Sequence, residues 1–166
     1  MSQFVVGLGE VLWDVFPKGK RLGGAPANFA YHAAQFGHEG LVVSAIGLDK
    51  LGSAIISELD KHALPYHLDR VPYPTGTVDV DLSDPNAPFY TINTKVAWSH
   101  IPFTESISAR NTTQKPPSVK ASAGAFIGSY LNGASIPQAH ALAVQVSAYV
   151  CTQKGAMPVI PEDLIH

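Results

Sequence analysis

The residues best placed by their spacing to bind a small molecule lie in the run Gly23-Gly24-Ala25-Pro26-Ala27-Asn28. Two glycines before a helix let the backbone approach a ligand closely, and an asparagine on the first turn offers a donor and an acceptor. Asp14, predicted at the end of the first strand, can accept hydrogen bonds from two neighbouring hydroxyl groups. A carboxylate and an amide beside exposed backbone suit a polyol better than an anion. The same spacing fits structural roles, with Asp14 capping a turn and Asn28 capping the helix.

Two phosphate-binding motifs are incomplete. The Gly7-Leu8-Gly9 run would need a third glycine where Leu12 stands, and the acidic partner about 20 residues further on is missing. The run Pro17-Lys18-Gly19-Lys20 lacks the spacing of a P-loop and its Ser or Thr. Neither a dinucleotide site nor a P-loop is therefore predicted.

The elements that must position these residues alternate between strands and helices. Apolar runs closed by glycine predict buried strands at residues 4–8 and 41–46. A glycine loop at residues 21–24 precedes a helix that begins at Pro26 and ends near Gly37. A second helix is predicted over residues 50–62 from apolar side chains at every fourth position. This order predicts an α/β fold with a parallel sheet.

The pattern changes beyond these elements. Residues 77–82 alternate strictly between apolar and polar, a turn follows, and residues 89–92 resume a strand, which predicts a small β lid. We divide the chain into an N-terminal α/β part at 1–98 with its lid at about 66–92, an irregular junction at 99–120, and a C-terminal helical part at 121–166. Within the last part, Ser135 and Gln138 predict a capping box that opens a long helix.

The composition limits the class of protein. The 166 residues are 46% hydrophobic and 14% charged, with a net charge of −2 and no cluster of Lys and Arg, so no nucleic-acid partner is predicted. The longest apolar runs are too short to span a bilayer, so no membrane partner is predicted. The start of the chain shows no export signal, and the single Cys151 fits a reducing compartment, so a cytoplasmic location is expected.

The run from Gly23 to Gly47 resembles the first signature of the PfkB (ribokinase-like) family of carbohydrate kinases. The opening GLGEVLWDVFP and the lid region resemble fructokinase-type members, and residues 136–161 resemble their C-terminal end. The resemblance covers about residues 1–103 and 118–161. It implies a ribokinase-like parallel sheet flanked by helices, with a small lid.

Particular residues acquire roles from that resemblance. It implies that Asp14, Gly24 and Asn28 hold a sugar, that the lid closes over it and that Phe89 contacts it. It also implies that Val144 and Ser147 line an adenine pocket. ATP and Mg²⁺ are the expected cofactors, fructose is the expected substrate, and a homodimer through the lid is the expected assembly.

Two departures from the family change the expected activity. Members are nearly twice as long, and the part missing between positions 103 and 118 supplies central strands and much of the nucleotide and magnesium site. The family's G-A-G-D motif, whose Asp is the general base, aligns with Ala121-Ser122-Ala123-Gly124. General-base catalysis contributes about 10²–10⁴-fold. No catalytic residue and no metal site are therefore predicted, and the base position is held by Gly124.

Three interpretations remain open at this stage. The chain is an impaired sugar kinase, a catalytically dead remnant that binds a sugar or dimerises through its lid, or a truncated product without a function of its own. Removing middle strands from a parallel sheet exposes apolar edges, which favours association in the last case.

Overall fold

The computed structural model describes residues 3–83, 89–102, 121–153 and 155–165, leaving out the side chains of residues 121, 122 and 147. Within these ranges the chain forms seven strands and five α-helices. The strands are β1 Phe4–Leu8, β2 Leu12–Phe16, β3 Gly19–Gly23, β4 Glu39–Gly47, β5 Tyr66–Val71, β6 Gly76–Asp81 and β7 Phe89–Ile92. The helices are α1 Ala25–Gln35, α2 Lys50–Lys61, α3 Ala121–Leu131, α4 Ile136–Thr152 and the short α5 Glu162–Ile165, with a 3₁₀ turn at Ala97–His100.

A parallel sheet forms the centre of the N-terminal half. Its strand order is β1-β4-β5, and both pairings are parallel. Every residue of β4 after Glu39 is buried, which is why that strand is a continuous apolar run in the sequence. Helix α1 packs against β1 and β4, with Ala27 and Ala30 fully buried at the contact. The predicted α/β fold with a parallel sheet flanked by helices is confirmed.

A second sheet, which we call the lid sheet, has the order β3-β2-β6-β7. The β2–β3 and β6–β7 pairs are antiparallel, whereas β2 and β6 run parallel. This sheet corrects three sequence expectations. Asp14 lies within β2 rather than at the end of the first strand, residues 21–23 belong to β3 rather than to a loop, and β5 pairs in the parallel sheet although the sequence pattern places residues 66–71 in the lid. The β6–β7 hairpin agrees with the pattern that predicts it.

A hydrogen-bonded cluster fixes the start of the lid strand β6 to the end of β4. The Thr75 hydroxyl donates to Asp49 Oδ1 (2.6 Å) and accepts from the Gly47 N–H (3.0 Å), while the Thr75 N–H donates to Asp49 Oδ2 (2.9 Å). Asp49 also caps α2 by accepting from the Gly52 N–H (2.8 Å). One aspartate therefore orients a helix and the entry to the lid sheet together.

The C-terminal helices pack on the outer side of α1. Helix α3 approaches closely because Gly124 and Gly128 face α1, where a Cβ at Gly124 would lie 2.7 Å from the Phe29 carbonyl oxygen. Helix α4 packs against α3, and its capping box is present, with the Ser135 N–H donating to Gln138 Oε1 (2.9 Å). Most of the predicted junction, residues 103–120, lies outside the described residues. None of the helices in the described ranges is long and apolar enough to cross a membrane.

Candidate functional site

The glycine pair between β3 and α1 is required by local geometry. Gly24 is the N-cap of α1 and has φ 110°, a conformation that residues with a Cβ rarely adopt. A Cβ at Gly24 would also collide with the carbonyl oxygen of Glu10. The backbone at Gly24 consequently carries no side chain. Helix α1 begins directly after it, and the Asn28 N–H donates to the Gly24 carbonyl (3.0 Å).

Asp14 reaches this turn through strand pairing. In the β2–β3 register Leu12 lies opposite Gly23 and Asp14 lies opposite Arg21. The Asp14 carboxylate leans over Gly23, because a Cβ at Gly23 would collide with Asp14 Oδ2. Burial raises the pKa of Asp14, and the nearby Arg21 guanidinium opposes that rise. The carboxylate has lost part of its hydration, which a sugar's hydroxyl donors would replace.

Asn28 carries the most informative atom of the site. Its Oδ1 is buried and has no hydrogen-bond partner among the described residues. Buried polar side-chain atoms are mostly satisfied in folded proteins, so an orphaned acceptor requires an explanation. Asn28 does not cap the helix, since Gly24 is the N-cap. The helix-cap role considered for Asn28 is therefore wrong.

Glu10 is a residue of this site that the sequence patterns do not reveal. Its Oε1 accepts a hydrogen bond from the Ala25 N–H (3.3 Å) at the first turn of α1. A carboxylate there occupies a free helix N–H and offsets the positive end of the helix dipole. An anionic ligand would meet the negative charges of both Glu10 and Asp14. The site consequently suits neutral hydroxyl groups better than a phosphate or a carboxylate.

The lid strands place Phe89 away from this group. Asp14 pairs with Val78, Val78 with Ile92, and Phe89 with Asp81, so Phe89 lies on the opposite face of the lid sheet from Asp14. This register contradicts the prediction that Phe89 contacts the sugar. The two β7 residues on the face of Asp14 are Tyr90 and Ile92, which are 58% and 61% exposed. Two-residue periodicity alone could not decide the face, because the pairing partner was unknown.

The nucleotide half of the predicted site is not assembled from the described residues. Val144, on α4, is 55% exposed and does not form the wall of an enclosed pocket, while the side chain of Ser147 lies outside the described residues. Gly124 packs against α1, where an added Cβ would lie 2.8 Å from the Cβ of His32. No group of three or more His, Cys, Asp or Glu side chains in the described ranges is placed to hold a metal ion. The ATP and Mg²⁺ part of the site therefore stays a prediction.

Comparisons with known proteins identify the architecture. No protein-family model matches the sequence, and no curated protein matches it either. Among solved structures, an uncharacterized sugar kinase from Pyrococcus horikoshii matches with a TM-score of 0.53 and 28% identity, over 58% of this chain and 36% of that one. Over the matched part, the chain has the ribokinase-like fold of a carbohydrate kinase.

Two further solved structures agree with this ribokinase-like fold. A fructokinase with bound ATP from Xylella fastidiosa matches with a TM-score of 0.52 and 20% identity, over 59% of this chain and 33% of that one. A 2-dehydro-3-deoxygluconokinase from Thermotoga maritima matches with a TM-score of 0.51 and 20% identity, over 60% and 35%. This chain thus spans about a third of the length of the sugar kinases that it matches.

Proposed function

We propose that this chain binds a sugar through Asp14, Gly24 and Asn28, and that it does not by itself transfer a phosphoryl group. The reaction implied by the family resemblance is phosphoryl transfer from ATP to a sugar hydroxyl, and fructose is the sugar to test first. The observation that carries the proposal is the buried, unpartnered Oδ1 of Asn28, one helical turn beyond the bare backbone of Gly24. A sugar hydroxyl is a donor of the size and polarity that this acceptor lacks.

The absence of transfer follows from the base position. A general base must reach the proton that it removes, within about 2.6–3.2 Å or through one water. Gly124 has no side chain, and its Cα faces the backbone of α1 rather than open space. We infer that the chain retains at most the sugar half of the reaction. We therefore propose ATP-dependent transfer for the longer sugar kinases that the chain resembles and not for this chain.

Calorimetric titration of D-fructose into the full 166-residue chain tests the proposal. We expect binding by the wild type, and no binding by the Asp14→Ala or Asn28→Leu variants. Asp81→Ala is the matched control, because Asp81 lies on the lid face opposite Asp14. Binding that survives both site variants would assign the sugar to another place, and a folded wild type that binds neither fructose nor ribose would refute the proposal.

Titration of Mg-ATP into the same sample tests the second half. We expect no heat of binding and no sugar-dependent ATP consumption at high protein concentration. Saturable nucleotide binding would contradict the assignment. A sample that is aggregated and binds neither fructose nor Mg-ATP would favour the third interpretation, a truncated product without a function of its own.

A second copy of the chain is the partner that we propose for the lid. The edge strand β7 carries three large apolar side chains that are each more than half exposed, Phe89, Tyr90 and Ile92. An apolar strand at a sheet edge is a template for pairing with another chain. We expect a homodimer in sedimentation velocity, and we expect Ile92→Lys to shift it to monomer. A wild-type monomer at high micromolar concentration would refute this assembly.

A further inference from the structure

An extended segment, residues 155–161, lies along α1 and is held by backbone groups at every second residue. We call it the C-terminal strap. The Ala156 carbonyl lies 2.9 Å from His32 Nε2, the Pro158 carbonyl accepts from Gln35 Nε2 (3.2 Å), and the Ile160 N–H donates to Gln35 Oε1 (2.6 Å). The strap also buries Met157 and Ile160. Two side chains, one helical turn apart on α1, make these three attachments, and the Tyr149 hydroxyl of α4 makes a fourth by donating to the Val159 carbonyl (3.2 Å).

The hydrogen-bond network determines the protonation state of His32. The Ile160 N–H must find an acceptor, so the amide oxygen of Gln35 faces the strap there. The amide nitrogen of Gln35 then donates to the Pro158 carbonyl and points its second hydrogen at His32 Nδ1 (3.3 Å). Nδ1 must accept and is unprotonated, which leaves the ring hydrogen on Nε2, where it donates to the Ala156 carbonyl. Only the neutral Nε2–H tautomer satisfies every partner.

A proton added to His32 would place two donors against each other. Nδ1–H would meet the Gln35 amide nitrogen, and Gln35 cannot turn over without setting its oxygen against the Pro158 carbonyl and its nitrogen against the Ile160 N–H. The imidazolium would also be buried, since His32 is fully inaccessible to solvent. An unpaired buried charge is strongly unfavourable in a protein interior.

Neither the strap nor α3 brings a carboxylate to His32, whereas Glu58 of α2 lines, with Lys20, Arg21 and His62, the cavity that residues 155–157 also border. The strap residues 155–161 carry no titratable side chain, and α3, which touches His32 through Gly124, carries only Tyr130. On α1 the neighbouring ring is that of Tyr31, which lies between His32 and His62 of the α2 C-terminus at centroid distances of 5.4 and 5.0 Å. Burial lowers the pKa of His32, and its hydrogen bond to Ala156 opposes that change only in part.

We propose that the strap is an acid-sensitive latch, which protonation of His32 releases from α1. Its release would also open a cavity of about 220 Å³ that residues 155–157 close from one side and that Trp13, Lys20 and His62 line from the other. At neutral pH the strap stays bound to α1, because its hydrogen-bond network is compatible only with the uncharged His32 ring.

The size of the effect follows from linkage. With the strap released, His32 has its ordinary pKa of about 6.5. Below that pH His32 is protonated in the open form and still neutral in the closed form. The open population therefore rises about tenfold per pH unit until the pH reaches the lowered pKa of His32 in the closed form. The direction is fixed by the sign of the shift: a depressed histidine pKa makes the closed state weaker as the pH falls.

Hydrogen exchange of the Ile160 amide measures the latch, since that N–H donates to Gln35. We expect its protection factor, corrected for intrinsic exchange, to fall as the pH drops below about 6.5, approaching about tenfold per pH unit until the lowered pKa of the closed form is reached. The Val42 amide, which donates to the Pro65 carbonyl (2.9 Å) in the core, is the internal control and should not follow. A flat profile at Ile160, or a parallel fall at Val42, would overturn the proposal.

Three variants separate titration of His32 from a merely structural role. His32→Gln keeps an amide donor for Ala156 but cannot titrate, so the Ile160 profile should become flat. Gln35→Glu offers protonated His32 an acceptor but leaves the Pro158 carbonyl without its donor, so Ile160 should be less protected at every pH while the fall below about pH 6.5 disappears, even if His32→Gln does not fold. His38→Gln removes the other buried histidine of this region, which bonds the Gly128 carbonyl (2.9 Å), and should leave the profile unchanged. A profile that persists in both position-32 and position-35 variants would refute the latch.

Discussion

A leucine at position 28 is expected to stabilise the protein while removing its sugar affinity. Asn28 Oδ1 is buried without a partner among the described residues, and leaving a buried polar atom unsatisfied costs about 1–3 kcal/mol. Leucine has a volume similar to that of asparagine and no polar atom, and its helix propensity is more favourable by less than about 1 kcal/mol. We expect the free energy of unfolding to rise by about 1–2 kcal/mol, which corresponds to an increase in Tm of roughly 2–8 °C for a chain of this size.

Urea denaturation of the wild type and of Asn28→Leu, paired with calorimetric titration of fructose, measures both effects. The matched control is Asn132→Leu, because Asn132 Nδ2 donates to the Phe36 carbonyl (2.9 Å). Loss of that bond should lower the free energy of unfolding by about 0.5–1.5 kcal/mol. If Asn28→Leu also destabilises the fold by about 1 kcal/mol or more, then Asn28 has a structural partner and the reasoning about its free acceptor fails.

The remaining expectations concern the helix contacts and one cap. Gly124→Asp introduces a carboxylate at the position that the resemblance aligns with the family's base. It should lower the free energy of unfolding by about 1–3 kcal/mol, because the side chain overpacks against α1, and it should give no fructose-dependent ATP consumption. The control Ala148→Asp, at an exposed site of α4, should change the free energy of unfolding by less than about 0.5 kcal/mol. Asp49→Ala should cost about 1–2 kcal/mol at neutral pH in urea melts. Burial alone would raise the pKa of Asp49, but hydrogen bonds from Thr75, Gly52 and Leu51 outweigh burial and lower it. The stabilisation is therefore present above pH 3.8 and lost as the pH falls through the lowered pKa, so the variant and the wild type should converge in acid; a constant difference would contradict this account.

The parallel sheet and the helices of this chain could be predicted because their patterns are local. The strand β4 is apolar along its whole length after Glu39, and α2 repeats Leu51, Ile55 and Leu59 on one face. Such patterns arise when a strand is covered on both faces or a helix on one. The capping box at Ser135 was predictable for the same reason, since both partners lie within four residues.

The lid sheet was predictable only in part because most of its pairings are not local. The strand β3 has the sequence GKRLG, whose glycines and charges indicate a loop, and only its pairing with β2 makes it a strand. The parallel β2–β6 pair joins residues that are far apart in the sequence, as in Leu12 with Gly76. Without that register, the face on which Phe89 lies could not be known. Glu10 was missed for the same reason, because its role depends on the position of the α1 N-terminus in space.

The residue at position 124 bears both on the packing of the C-terminal helices and on the loss of phosphoryl transfer that we propose. Helix α1 presents Asn28 near its N-terminus and, along its length, receives α3 and the strap. The close approach of α3 requires a residue without a side chain where the family motif has its aspartate, because even a Cβ there would press on the Phe29 carbonyl and on His32. A carboxylate at that position and the tight α1–α3 contact therefore oppose each other. The glycine that we propose removes the base is also the residue that allows α3 to pack closely on α1.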